Sequence, residues 1–447
     1  MTQTRVKQLI LNVDIVLESE LARGGEGTIY TIRNDPSSVA KIFHKPSREK
    51  ADKIAVMISN PPSDITQGRQ TAFAWPKAQI LDTKHQFVGF TMPYIYAGES
   101  REYHPLFVAY NPQTRLKTIA QLTWDYLLLI AYNVAYIVKE LHSKGYVIGD
   151  INESNFLFTT TGWVTLVDCD SMQVPKPGGG VYRCTVGKPE FTAPELQGKN
   201  LSQIDRKQYS DNFSLAILIF LLLMEGRHPF SGVWRGDSNP PTIPQHIQQG
   251  NFPYAKRRFP FRKPRFLFPK DPNQLFPPAH ALPFDVLPKK IQRLMISCLR
   301  TNHHVVERKG RHPNKRPTAQ RWYEVLKEAE EEQKVACSRY PTSHIYRKGL
   351  RECPWCERMD LVGTNPFPTK PVPKAAASTR SIASYLADLL PRLLTTLLVL
   401  ATIVLYILEY RFWPVYSPFL GPLLEGIVVF GGPLLLCILL VRKVRNL

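Results

Sequence analysis

The amino-acid sequence predicts an α+β protein that carries a small metal-binding module and ends in a pair of transmembrane helices. Strand-like runs come first along the chain and helix-like runs follow them, with no internal repeat. Cysteine and histidine residues cluster between positions 337 and 356, and two apolar stretches lie near the C-terminus. These three observations divide the chain into residues 10–335, 336–360, 361–388 and 389–441.

The charge and length of the chain limit the classes of protein to which it can belong. At 447 residues it can bury a sizeable core and form two or three domains. Its formal charge of +20 is concentrated in residues 256–265 and 307–316, which favours an anionic partner such as a membrane surface, a nucleic acid or an acidic substrate. Neither segment interleaves aromatic residues at a regular spacing, so solvated basic loops are a simpler interpretation than nucleic-acid recognition.

The cysteine content predicts a reducing, cytoplasmic compartment and no disulfide bonds. The chain has seven cysteines, an odd number, and its polar N-terminus has no cleavable signal. Four of the cysteines are isolated in the sequence, and we expect them to be packed rather than bound to a metal. These are Cys169, Cys184, Cys298 and Cys437.

A glycine-rich segment near the N-terminus is the first motif with a chemical meaning. Residues 21–30 read LARGGEGTIY, and residues 39–43 read VAKIF. Glycines spaced in this way let a hairpin backbone come close to phosphate groups, and a lysine on the next strand can pair with them. Alone the pattern is weak, because an ordinary surface hairpin followed by a lysine is common by chance.

Five further elements follow in order and make the signal specific. They are LHSKGYVIGDINESNFLF at 141–158, VTLVDCDS at 164–171, VGKPEFTAPEL at 186–196, SDNFSLAILIFLLLMEGRHPF at 210–230 and NKRPTAQRW at 314–322. In this order and spacing the chain resembles eukaryotic-like Ser/Thr protein kinases over roughly residues 10–330. The resemblance implies a bilobal protein-kinase-like fold, with ATP between a small β-rich lobe and a larger helical lobe.

The resemblance also implies roles for individual residues. Asp150 would accept the hydrogen bond of the substrate hydroxyl, and Asn155 and Asp168 would hold Mg²⁺ through hard oxygen ligands. Lys41 would hold the α- and β-phosphates of ATP, with the hinge at residues 92–95 on the adenine side. The implied ATP-binding residues are Leu21, Ala22, Gly24, Gly25, Gly27, Ile29, Lys41, Met92 and Tyr94.

Three supporting interactions follow from the same resemblance. Asp211 would brace the backbone of the catalytic loop, and Glu195 would pair with Arg316. The helix in SREKADKIAVM should offer a carboxylate to Lys41. Both Glu49 and Asp52 qualify, and Asp52 is preferred because of its distance from the following NPP.

Several positions depart from the family pattern, but the four residues with chemical roles are retained. Ala22 replaces the first glycine, Ile148 and Gly149 replace His and Arg, Asn152 replaces Lys, and Cys169 and Asp170 replace Phe and Gly. An active protein Ser/Thr kinase is therefore the preferred interpretation. The alternatives are a catalytically dead kinase-like ATP-binding scaffold at the membrane and a nucleic-acid-linked protein that uses the basic loops.

Gly149 bears on regulation. In kinases switched by phosphorylation, an arginine at this position pairs with a phosphate on the activation segment. A glycine offers no such side chain, and Lys188 would hold the segment without modification. We therefore expect activity not to require phosphorylation of the segment, although Ser171, Tyr182 and Thr185 are candidate acceptors.

The cysteine and histidine cluster predicts a structural zinc site. Cys337, His344, Cys353 and Cys356 form the pattern C-x6-H-x8-C-x2-C, and four N/S ligands suit tetrahedral Zn²⁺. A redox role for the CxxC pair is the alternative, but it predicts neither the histidine nor the third cysteine. This tail resembles that of a bacterial kinase subfamily in which some members carry helix-hairpin-helix modules. No such module is visible in the sequence.

The C-terminal part of the sequence predicts a membrane anchor. A linker-like composition rich in Pro and Ala precedes two apolar stretches at about 393–408 and 423–441. Two buried soluble helices are the alternative. Basic residues before the first stretch and after the second place both ends in the cytoplasm, so we expect a multi-pass protein of the cytoplasmic membrane whose kinase domain faces the cytoplasm. The protein substrate and the oligomeric state are not predicted.

Overall fold

A computed structural model describes residues 5–8, 13–63, 66–67, 70–95, 103–118, 122–236, 239–255, 274–299 and 313–367. The predicted membrane hairpin at 389–441, the linker beyond Phe367 and the basic segment 256–265 lie outside these residues. Within the described part of the chain, no helix is both long enough and apolar enough to cross a bilayer.

The secondary structure follows the predicted order of strands first and helices after. The strands are β1 (Arg5–Gln8), β2 (Val13–Arg23), β3 (Gly27–Ile32), β4 (Asp35–Phe43), β5 (Thr66–Gln67), β6 (Gln70–Thr71), β7 (Ala78–Leu81), β8 (Phe87–Pro93), β9 (His104–Pro105), β10 (Phe156–Phe158), β11 (Val164–Leu166), β12 (Val174–Pro175), β13 (Val181–Tyr182), β14 (Val233–Trp234), β15 (Leu275–Phe276), β16 (Lys334–Ala336) and β17 (Ile345–Arg347). The α-helices are α1 (Arg48–Ser59), α2 (Leu106–Tyr110), α3 (Pro112–Thr118), α4 (Trp124–Ser143), α5 (Gln208–Leu223), α6 (Ile243–Gln249), α7 (Lys289–Leu299), α8 (Ala319–Glu331) and α9 (Pro354–Val362).

The N-terminal strands close into an antiparallel barrel in the order β1-β2-β3-β4-β8-β7. Alternate residues of the barrel strands, such as Ile15 and Leu17, point inward and are buried, as a period of two requires. Helix α1 begins at Ser47, whose side chain accepts a hydrogen bond from the backbone N–H of Lys50. It packs beside the barrel through Ile54 and Met57.

The helical part is built around α5, which is apolar on nearly every face and is buried from Ser210 to Leu223. Helix α4 lies between α5 and α8. The apolar face of α8, formed by Trp322, Val325, Leu326 and Ala329, is buried as its helical spacing predicts.

Two predicted supporting interactions are confirmed. The guanidinium of Arg316 donates to both carboxylate oxygens of Glu195, at 2.7 and 2.8 Å. The carboxylate of Asp211 accepts hydrogen bonds from the backbone N–H groups of Ile148, at 2.7 Å, and Gly149, at 2.9 Å. The second interaction fixes the backbone immediately before Asp150.

The cysteine and histidine module packs against the helical part. Trp355 at the start of α9 contacts Trp124 of α4, with ring centroids 5.9 Å apart. The buried guanidinium of Arg115 lies 4.3 Å from the ring centroid of Phe367 and donates to the carbonyl of Pro366. Helix α9 and Phe367 therefore extend this module past residue 360, into residues predicted to begin the linker. Phe367 explains the difference, because its ring is buried.

Candidate active site and metal centre

Lys41 lies at the centre of a buried cluster of charges. Strand β4 places it opposite Ile29 of β3 and Phe90 of β8, so its side chain leaves the barrel towards the helical part. Its Nζ lies 2.8 Å from Oδ1 of Asp168 and 2.7 Å from Oδ1 of Asp170. The side chain of Lys41 is 9% exposed and that of Asp170 is 3% exposed, whereas that of Asp168 is 41% exposed. Asp170 is thus the buried anchor, and Asp168 is the carboxylate that remains accessible.

The prediction that Glu49 or Asp52 would pair with Lys41 is wrong. Both side chains lie on the exposed side of α1, and Glu49 is 3.7 Å from Lys176 instead. The phase of the helix explains this, because Met57 is buried and Lys53, four residues earlier, shares its face. Lys53 lines a cavity of about 610 Å³ between α1 and the segment that follows Asp170.

The protonation states in the cluster follow from burial and neighbouring charge. Burial lowers the pKa of Lys41, but Asp170 and Asp168 outweigh it, so the pKa lies above its ordinary value. Burial raises the pKa of Asp168, yet Lys41 outweighs it, and the pKa lies below its ordinary value. Asp170 is more deeply buried, and burial raises its pKa against the opposing effect of Lys41. Burial also lowers the pKa of Lys53.

The hairpin of β10 and β11 brings Asn155 and Asp168 together. Asn155 directly precedes β10 and Asp168 follows β11, and Val167 donates its N–H to the carbonyl of Asn155 at 2.8 Å. Asp168 has a left-handed backbone with φ of 55°, which a residue with a side chain rarely adopts. The side-chain Nδ2 of Asn155 donates to the carbonyl of Asp150 at 2.9 Å. Its amide oxygen and the Asp168 carboxylate are the hard ligands that Mg²⁺ prefers, so this pair fits the ion.

Asp150 is held beside this pair with one oxygen unused. Its Oδ2 lies 3.3 Å from Nδ2 of Asn155. Its Oδ1 is buried and has no hydrogen-bond partner among the described residues. A buried carboxylate oxygen without a donor is costly, so this atom is suited to accept a hydrogen bond from a hydroxyl that enters the cleft.

The glycine-rich turn joins β2 and β3 above Lys41. The N–H of Gly24 donates to the carbonyl of Gly27 at 2.9 Å, and a Cβ on Gly25 would meet nothing within 4 Å. A Cβ on Gly27 would lie 2.6 Å from the carbonyl oxygen of Ile42, so that glycine is required by the neighbouring strand. Gly24 and Gly25 are therefore the open positions at which a phosphate could approach the backbone.

The other predicted ATP-binding residues lie on or next to strands of the barrel. Ala22 is in register with Ile29, and Leu21 beside it is 41% exposed. Met92 of β8 is buried opposite Val39 of β4. Tyr94, two residues after Met92, donates its backbone N–H to the carbonyl of Ser37 at 2.8 Å.

The four predicted zinc ligands converge on one point. Their ligand atoms all lie within 4.8 Å of one another. The Nδ1 atom of His344 is 3.4 Å from Sγ of Cys356 and 3.6 Å from Sγ of Cys353, and Sγ of Cys337 is 3.5 Å from Sγ of Cys356. Three sulfurs and one imidazole nitrogen fit tetrahedral Zn²⁺.

Asn365, which the sequence did not single out, fixes the protonation of His344. Its Oδ1 accepts the backbone N–H of Phe367 at 2.9 Å, so this atom is the amide oxygen. The same oxygen lies 2.8 Å from Nε2 of His344, which must therefore donate its proton. The unprotonated Nδ1 then faces the three sulfurs, as a metal ligand requires. An Asn at the edge of a proline-rich stretch gave no signal of this role.

The chain is similar to several known protein kinases. It is 31% identical over 343 residues to protein kinase YegI of Escherichia coli K12, covering 76% of this chain and 48% of that protein. It is also 31% identical over 340 residues to YegI of E. coli O157:H7, covering 75% and 48%. Over 113 residues it is 31% identical to the serine/threonine-protein kinase GRIK1 of Arabidopsis thaliana, covering 24% and 28%. The chain thus spans about half the length of the YegI proteins.

No family model matches the chain. A solved structure of the ROP18 kinase domain in complex with AMP-PNP and sucrose aligns with a TM-score of 0.44 and 14% identity, covering 74% of this chain and 85% of that one.

Replacing Asp170 should change the reactivity of Lys41. In Asp170→Asn the buried amide no longer offsets the charge of Lys41, so the pKa of Lys41 should fall and its labelling by an amine reagent at pH 9 should rise about tenfold for each pKa unit lost. Mass spectrometry of the labelled peptide measures this. Asp52→Asn is the matched control and should label as the wild type does. Equal labelling of all three proteins would contradict the assignment of Asp170 as the anchor.

The metal centre should bind about one zinc ion per chain. Cys353→Ser should lose the ion, and Asn365→Ala should weaken its retention about 10- to 100-fold because His344 loses its orienting partner. Metal analysis after dialysis against a graded chelator measures both. Cys298→Ala, which changes a buried cysteine outside the cluster, should keep the ion. Because the module packs on α4, zinc loss should also lower the thermal midpoint of the helical part. Wild-type protein without zinc, purified in the absence of chelator, would contradict the site.

Proposed function

Because this chain belongs to the protein kinase family, we propose that it transfers the γ-phosphate of ATP to serine and threonine hydroxyls of protein substrates. The observation that supports this best is the buried Oδ1 of Asp150, which has no hydrogen-bond partner among the residues that the structure describes, in a carboxylate whose other oxygen lies beside Asn155. This arrangement offers an acceptor for a hydroxyl proton next to ligands for a divalent ion.

The proposed mechanism assigns one task to each group. Gly24 and Gly25 admit the phosphates, and Lys41, which keeps its proton, pairs with the α- and β-phosphates. Asn155 and Asp168 would hold Mg²⁺, which would offset the negative charge of the phosphates. Asp150 orients the attacking hydroxyl and accepts its proton as the bond from the hydroxyl oxygen to the γ-phosphorus forms and the bond from that phosphorus to the bridging oxygen breaks, so that ADP leaves.

Asp170 explains how the site works without a helix carboxylate. In the family, the metal-binding aspartate is usually followed by Phe and Gly. Here Cys169 and Asp170 follow it, and Cys169 is buried while Asp170 anchors Lys41. The anchor therefore comes from the same loop as the metal ligand Asp168. Because Asp168 and Asp170 are two residues apart in one loop, an ordered loop positions both Lys41 and the ion.

The second candidate is a kinase-like ATP-binding scaffold without transfer activity. It is favoured by the three short contacts that Lys41 makes with Asp168 and Asp170, because a nucleotide must compete with them for the ammonium group. The two candidates differ in one measurable property. Both bind ATP, and only the kinase releases ADP and a phosphorylated protein.

We also propose that the chain is anchored in the cytoplasmic membrane by residues 389–441, with the kinase domain in the cytoplasm. The support is the sequence alone: two apolar stretches with Arg392 before the first and Arg442, Lys443 and Arg445 after the second. A membrane location would also give the basic segments 256–265 and 307–316 an anionic partner. The substrates would then be proteins at or near the membrane.

Asp150→Asn should reduce transfer by about 100-fold or more while leaving ATP affinity nearly unchanged, because the carboxylate acts on the hydroxyl and not on the nucleotide. Asp168→Ala should lose both transfer and Mg²⁺-dependent ATP binding. Radiolabelled-ATP transfer and titration calorimetry measure the two properties. Asp14→Asn, an exposed position on β2, is the control and should behave as the wild type. Normal transfer by Asp150→Asn would mean that another group accepts the proton.

The full-length chain should stay in membranes after a carbonate wash, whereas truncation after Thr379 should make it soluble. Fractionation followed by immunoblotting measures this. Release of the intact chain by salt alone would contradict a spanning hairpin, since it would mean that the basic surface holds the chain on the membrane electrostatically.

A further inference from the structure

Arg206 joins two segments of the proposed active site. It lies in the loop before α5, and only 3% of the residue is exposed. One guanidinium nitrogen donates to the carbonyl of Gly149, directly before Asp150. The other donates to the carbonyl of Val186, in the segment from Asp168 to Leu196 that we call the activation segment. One side chain thus connects the catalytic loop to the activation segment.

Gly149 leaves the space that Arg206 occupies. It has a φ of +77°, and a Cβ there would lie 2.6 Å from Nη1 of Arg206 and 2.7 Å from Sγ of Cys184. No side chain fits at position 149 while Arg206 is in place. The loss of the family arginine at 149 is therefore matched by Arg206, which occupies the space that a side chain at 149 would need.

The backbone of Arg206 is itself fixed. Its N–H donates to Oε1 of Gln173 at 2.7 Å, and Nε2 of Gln173 donates back to the carbonyl of Arg206 at 2.8 Å. The backbone of Gln173 pairs with Val147 in both directions, at 3.1 and 2.8 Å. Residues 147–149 are therefore held on one side by Gln173 and Arg206 and on the other by Asp211.

The contacts of Arg206 are of a kind that holds two segments of the chain together. Among the described residues no carboxylate forms an ion pair with Arg206, and its Nε is buried without a partner. Its charge is directed at two carbonyl oxygens on different segments. Hydrogen bonds from a charged donor are stronger than neutral ones, and a guanidinium stays protonated at every physiological pH.

A second contact between the same segments is weaker. Nζ of Lys188 lies 3.1 Å from Oε1 of Glu153 and 3.0 Å from Oγ of Ser154. The Lys188 side chain is 40% exposed, so solvent and salt screen this pair. Arg206 is the contact that solvent does not reach.

We propose that Arg206 is a positioning residue that clamps the activation segment to the catalytic loop, so that transfer needs no phosphate on the segment. This inference rests on the proposed kinase function. The clamp holds the carbonyl of Gly149 and thereby the backbone that carries Asp150. It also holds Val186, so the segment that receives a protein substrate is ordered before any modification.

The test compares Arg206→Met, Arg206→Lys and the control Arg183→Met in the full-length chain. Arg183 lies in the same segment but is exposed and pairs with Asp205. Arg206→Met should lower kcat on the order of 10²-fold with little change in the KM for ATP, because the loop that orients the hydroxyl loses its support. Arg206→Lys should be intermediate, since one ammonium group lacks the planar fork. Arg183→Met should match the wild type.

Two measurements keep the inference separate from the proposed function. Hydrogen exchange of the amides at 183–190 should increase in Arg206→Met and not in Arg183→Met, whether or not the chain transfers phosphate. Methylguanidinium added to Arg206→Ala should restore the slow exchange. Wild-type enzyme treated with phosphatase should keep its activity.

Three results would overturn the clamp. They are unchanged exchange and kcat in Arg206→Met, equal losses in Arg183→Met, and loss of wild-type activity after phosphatase treatment that autophosphorylation restores. If Arg206→Met does not fold, the kcat and hydrogen exchange of Arg206→Lys and the phosphatase result still test the clamp. If the wild-type protein transfers no phosphate but the Arg206 and Arg183 variants show the expected exchange, the proposed function is refuted, while the link that Arg206 makes between the two segments is supported.

Discussion

The ion pairs of Lys41 with Asp168 and Asp170 are the interaction on which the proposed active site depends. Lys41 comes from the barrel, and both aspartates come from the loop after β11, so the pairs connect the β-rich and helical parts of the chain. Removing one member of a buried ion pair costs about 3–5 kcal/mol, because a charge is left without its partner. The contact between the two parts is thus made by residues that would bind phosphate and metal.

The region around this cluster achieves the expected geometry with unexpected residues. Asp170 replaces a helix carboxylate as the anchor of Lys41, and Arg206 occupies the space left by Gly149. In each case a charge missing from its family position is supplied from a neighbouring loop. These two departures from the family pattern are therefore each paired with a compensating residue.

The sequence predicted the order of elements and the convergence of the four zinc ligands, because these features depend on local spacing, which a sequence displays directly. The β-rich and helical parts and the support from Asp211 were predicted from the resemblance to protein kinases. The sequence did not predict that Asp170 would anchor Lys41, because the two residues are 129 positions apart in the sequence and are brought together only by the tertiary fold. The prediction that Glu49 or Asp52 would pair with Lys41 was wrong for a different reason. The buried face of α1 is set by Ile54 and Met57, and a shift of one residue turns a side chain by about 100° around a helix. Asn365 orients one histidine, and Arg206 donates to two backbone carbonyls. Contacts of these kinds leave no pattern in a sequence.

The most direct test of this account is whether the purified full-length chain transfers radiolabelled γ-phosphate from ATP to a serine- and threonine-containing protein. The account predicts transfer that requires Mg²⁺ and yields phosphoserine or phosphothreonine together with an equal amount of ADP. Binding of ATP without any transfer, under conditions in which the chain is folded and loaded with zinc, would contradict it.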